Sequence, residues 1–127
     1  VNAAHDTARW ADRLAVVATI PERLGARALP LVEEAIAAQI SSQQGPDGAP
    51  WAATSDGHPA LQNAMGDLTS VAQPDGFDLV LGTPSAYHDQ GRGHAPRRQI
   101  LPDGSKVPPA YAAAIDLAFA LLLEEAG

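Results

Sequence analysis

Ser85, His88 and Asp89 are the side chains whose types and spacing come nearest to a reaction centre: a hydroxyl nucleophile, an imidazole to take its proton and a carboxylate to orient the imidazole. Assembled, they would make a small soluble hydrolase. The local pattern argues against it, because no Gly-x-Ser-x-Gly elbow is present and Ser85 stands in a Thr83-Pro84-Ser85-Ala86 connection. His88, Asp89 and His94 offer imidazole and carboxylate ligands, but their spacing matches no metal signature, and His5 and His58 are remote. Gly91-Arg92-Gly93 is too short for a phosphate loop and does not run into Lys-Ser/Thr. Asp67, Asp75, Asp78 and Asp103 fit turns, strand edges and solubility. The sequence therefore predicts no catalytic residue, metal site or cofactor.

A contact surface is the better reading of the same stretch. Arg92, Arg97 and Arg98, with His94, form the one local basic patch of an acidic chain. Eight basic and fifteen acidic residues leave a formal charge of −7, and both halves are negative, so sequence-specific nucleic-acid binding is not expected. Trp51 ends a long polar run and reads as an anchor for packing or for a neighbour. Trp51, His88, Arg92, Arg97 and Arg98 are the interface candidates, with internal packing or ion pairing the alternative role for Trp51 and the arginines.

These residues need elements to hold them. Trp10, Leu14 and Val17 share a helical face over residues 5–18, and Thr19 with Glu22 has capping-box spacing for a second helix. Leu24, Ala28, Val32, Ile36 and Ile40 continue that second helix, which Pro30 should kink or divide. Residues 41–58 are a polar loop of turn-forming types, and residues 61–65 predict a short helical connection. Two strands, 68–72 and 77–81, flank a Gln73-Pro74-Asp75-Gly76 turn. Phe77, Leu79 and Leu81 then share one sheet face; Val80 beside Asp78 on the other predicts cover by a helix or another subunit. Residues 98–101 are expected to add an extended segment to this sheet. Pro108 and Pro109 open a final helix with a Tyr111, Ile115, Phe119 and Leu122 stripe, edged by Leu117 and Leu121. Asp116 is its sole formal charge before Glu124, so burial against its own sheet and a neighbour is expected. Glu124 and Glu125 oppose the helix dipole and predict fraying or a basic partner from outside.

With 127 residues, 46% of them apolar, the chain can build one core, and residues 1–127 read as a single α+β domain: two N-terminal helical segments, a small antiparallel sheet and a packed C-terminal helix. Two each of Trp, Tyr and Phe among abundant alanine favour close helix contacts over a wide aromatic pocket. Without cysteine, neither disulfides nor thiolate chemistry can contribute. No signal-like or membrane-spanning run is evident, and a soluble protein is expected.

Several motifs, in order, resemble the phage virion morphogenesis or tail-completion family, which includes neck and head–tail joining proteins of phage-like particles. Residues 40–51 resemble its passage from a long helix into a polar loop ending Pro46-Asp47-Gly48-Ala49-Pro50-Trp51. Met65-Gly66-Asp67-Leu68 stands where that family has Thr-Gly-x-Leu. Tyr87-His88-Asp89-Gln90-Gly91 is similar to its Tyr/His-x-x-Gly region, and residues 95–101 to its Pro-Ala-Arg-Pro-Phe-Leu region, with Arg98 replacing proline and Ile100 near the aromatic position. The resemblance implies an α+β fold and a structural role without substrate turnover. It also implies a homo-oligomeric ring, with six copies if it sits at the tail-side joint, contacting neck, connector or tail proteins. The implied location is the tail or head–tail neck, after a cytoplasmic stage and with no membrane partner.

Overall fold

The apolar series from Ile20 to Ile40 becomes the central helix of the molecule, a computed structural model that describes residues 11, 12, 14, 15, 18–74, 76–82, 85–91, 96–103 and 107–126. This helix, α1 (Ile20–Ser41), buries Ile20, Gly25, Ala28, Leu29, Val32, Ile36 and Ile40 along one side. Residues 11, 12, 14 and 15 are helical, in keeping with a preceding helical segment, whose Trp10 and Val17 lie outside the described residues. Two details of α1 depart from expectation. Thr19 supplies no side-chain cap, the first turn being set by Pro21 instead. Pro30 does not divide the helix. It lies on the exposed side, where the carbonyl it leaves unpaired can turn to water.

Strands β1 (Leu68–Gln73) and β2 (Gly76–Leu81) pair antiparallel from Leu68 opposite Leu81 to Gln73 opposite Gly76, so two residues make the turn. Phe77, Leu79 and Leu81 share one face, as the alternation requires, and pack against the core under α1. Ser70 on the same side donates a 2.6 Å hydrogen bond to Glu33 of α1. The opposite face carries Val71 at 52% and Val80 at 59% exposure, so within this chain the expected cover is absent among the described residues. A one-turn 3-10 helix (Ala64–Asp67), in place of the helical connection at 61–65, leads into β1. Among the described residues the sheet has two strands, and residues 98–101 are not a third. Sequence reasoning also missed α2 (Ser85–Gln90), having read Ser85 as part of a connection.

The C-terminal helix α3 (Pro109–Ala126) packs along α1 through Tyr111, Ala114, Ala118 and Leu122. Spacings of three and four place these residues on one stripe, and alanine at its centre lets the two helices approach closely. The anticipated stripe was turned by part of a helical step: Phe119 is 44% exposed and Leu117 50%. No described helix is long and apolar enough to cross a membrane.

Glu125 finds its basic partner inside the molecule. Arg23 and Arg27, one turn apart on α1, both reach its carboxylate, Arg23 at 3.0 Å, so no outside cation is needed to hold the end of α3. The bond from Arg27, seconded by Arg23, holds the Glu125 carboxyl below its ordinary 4.5. A depressed carboxylate stabilises the fold fully above the unfolded-state value and loses that contribution as pH falls through the folded one. The pair is exposed, so salt screens it. Glu125→Gln is therefore expected to lower the melting temperature slightly at neutral pH and low salt. Thermal melts should show that difference closing below about pH 4 and in molar salt.

Candidate functional site

The polar loop after α1 is closed at its base by one side chain. Gln43 takes a left-handed backbone (φ 56°), and its amide donates to the carbonyls of Ile40 at 2.9 Å and Ala60 at 2.8 Å while accepting the Ala60 N–H at 2.6 Å. A non-glycine residue held in that region costs about 1 kcal/mol or more, here offset by bonds across seventeen residues. The Gln43 carbonyl also accepts the Trp51 N–H at 2.8 Å. Between them the chain folds back on itself, with a bridge from Gln44 to Pro50, a 2.8 Å bond from Gly45 N–H to Ala49 O, and Gly48 at φ 86° in the turn.

Residues 97–101 run across this loop as an irregular segment whose backbone is held by other elements. From α2, Asp89 Oδ1 accepts the N–H groups of Ile100 at 2.7 Å and Leu101 at 3.0 Å, and the His88 carbonyl accepts the Arg98 N–H at 2.9 Å. From α1, Gln39 donates to Ile100 O at 2.7 Å; from the loop, Trp51 Nε1 donates to Gln99 O at 2.9 Å. These bonds do the work a β-ladder was expected to do, and they drive Ile100 into full burial beside Val32, Ile36 and Tyr111.

Of the interface candidates, Arg98 is 5% exposed and donates from Nε to Ala52 O at 3.0 Å and from its terminal nitrogen to Ala53 O at 3.3 Å. Its side chain is thus an internal clasp, closed to a neighbour, and the part of the basic patch assigned to it is corrected accordingly. Trp51 is half-buried and packs on the core. Arg97 is exposed, bonded to Asp89 O at 2.6 Å and to Asp103 at 2.6 Å; their mutual bond raises Arg97 and lowers Asp103 from ordinary values. Among the described residues, the ring nitrogen His88 Nδ1 is buried without a hydrogen-bond partner, as is the Tyr111 hydroxyl. Burial, and secondarily the Asp89 charge, pushes Tyr111 up to about 12. Arg92 and His94 lie outside the described residues.

The nucleophile arrangement is not assembled. Ser85 is 2% exposed and donates its hydroxyl to Asp67 at 2.6 Å, tying α2 to the end of the 3-10 turn. Asp89 spends Oδ1 on two backbone amides and no hydrogen bond joins Ser85 to His88 among the described residues. No cluster of three potential metal ligands occurs among them either. The sequence reading missed Gln39, Gln43 and Asp89 as the residues that hold the site together. Their only signal was amide or carboxylate side chains at the margins of buried stretches, where unpaired backbone groups need partners.

Residues 43–53, 88–91 and 97–101 are thus tied to one another by backbone and side-chain bonds within an α+β fold. No family model, curated protein or solved structure matches the chain.

Proposed function

We propose that this chain is a structural component of a phage-like particle, a tail-completion or head–tail joining protein that acts in several copies as a neck or tail-end ring. The observation that supports this reading is the convergence of residues 43–53, 88–91 and 97–101, the segments that carry the resemblance, through the Trp51–Gln99, Arg98–Ala52 and Asp89–Ile100 bonds. Segments so far apart in sequence are tied into one surface, as a part that must hold its shape against neighbours requires. The exposed apolar side chains Val71, Val80, Leu117 and Phe119 add area that association would cover. Partners are further copies, six of them if the protein sits at the tail-side joint, and adjoining neck, connector or tail proteins. The burial of Ser85 and its bond to Asp67 count against a hydrolase.

Quantitative mass spectrometry and imaging of purified particles test the proposal. The expected result is several copies per particle at the tail or neck, and particles lacking the protein that fail to join head and tail. Absence from particles, or one isolated copy at the joint, overturns it.

A further inference from the structure

Strand β2 offers a hydrogen-bonding edge that its sheet does not use among the described residues. One edge pairs with β1; along the other runs an open trough of about 450 Å³ lined by Phe77, Asp78, Leu79 and Val80 in succession. Alternate residues of a strand point to opposite faces, so a hollow that touches four in a row follows the strand's edge and not one of its faces. The facing wall is apolar, formed by Leu101, Pro102, Val107, Pro108, Tyr111 and Ile115. Its two prolines have no N–H to give, which keeps that wall from pairing with β2 at those positions.

The charges select the occupant. Asp78 lines the trough, and an adjoining depression of about 480 Å³, which shares Pro102, Val107 and Pro108, is lined by Asp47; Asp103 in that depression is already paired with Arg97. A second copy of this chain is a poor match, because its formal charge is −7 and the acidic trough would face another acidic surface. We infer that the trough receives an extended apolar segment of a different protein, flanked by lysine or arginine, which adds to β2 as a third strand. Four residues of contact span about 13 Å. Main-chain bonds along the edge supply affinity, and carboxylates at the ends favour basic flanks. The inference stands on the isolated chain and does not depend on the particle reading.

The probe is a fluorescein-labelled Lys-Val-Thr-Val-Thr-Val-Lys peptide titrated into the full chain at low salt, followed by anisotropy and by amide NMR shifts. The expected result is saturable binding with shifts concentrated at Phe77 to Val80, about tenfold tighter than for the same peptide with glutamate flanks. Asp78→Lys should narrow that preference at least about threefold while leaving the spectrum of the fold intact. Peptides N-methylated on alternate amides provide the geometric control, since a strand pairs along one edge through every second residue. One methylation set should abolish binding and the other should not. Equal tolerance of both sets, shifts elsewhere, or no binding at millimolar peptide overturns the inference. So does a dimer formed without peptide in which the β2 amides are already protected, because a second copy then fills the edge.

Discussion

Arg98→Met is expected to lower stability by about 3 kcal/mol, read as a fall of roughly 10 °C in melting temperature, because it leaves two carbonyls without their donor. Arg98 is buried and spans from the 97–101 segment to Ala52 and Ala53, beyond Trp51. Methionine keeps the apolar stem and removes the donors, so the loss measures the clasp more than a cavity. Arg98→Lys should recover part of it, since an ammonium can satisfy one carbonyl but lacks the fork that reaches two. Arg97, one residue away, gives the contrast. It is exposed, and Arg97→Glu should leave the melt close to that of the parent while removing the bond to Asp103. The contrast also bears on assembly: under the proposed particle role, Arg97→Glu impairs joining with the fold intact, whereas Arg98→Glu removes the fold first. A particle-joining assay beside thermal melts of both variants separates the two, and an unchanged melt for Arg98→Met contradicts the clasp.

The second large effect is expected at Gly25. A Cβ there would drive into the hairpin turn, meeting the Gly76 carbonyl, with its carbon at 2.7 Å and Gln73 O at 2.8 Å. These are backbone atoms, so no side chain can swing aside and the helix must lift from the sheet. Overpacking of this kind costs up to about 3 kcal/mol, against which alanine returns about 1 kcal/mol of helix preference over glycine. Gly25→Ala should therefore destabilise by about 2 kcal/mol, and denaturant unfolding should show a lower midpoint with the slope unchanged. Gly66→Ala serves as the control, since its added Cβ meets nothing within 4 Å. Equal behaviour of the two variants would mean that the hairpin does not rest on Gly25.

Patterns of near neighbours were legible in the sequence by themselves. The apolar series on α1, the Gln73 to Gly76 turn with its alternating β2, and the proline opening of α3 are local codes, and each element formed where its period and its turn residues place it. Tertiary structure alone decided the rest. Whether Arg98 faces a neighbour or two carbonyls over forty residues away, and whether residues 98–101 pair in a ladder or lie in the grip of Asp89, depends on unpaired backbone groups brought near by distant parts of the chain. The rotation of the α3 stripe onto Ala114 and Ala118 was settled the same way. Periodicity shows that a helix has an apolar side, but with apolar residues nearly all round α3, only the close approach to α1 selects the side.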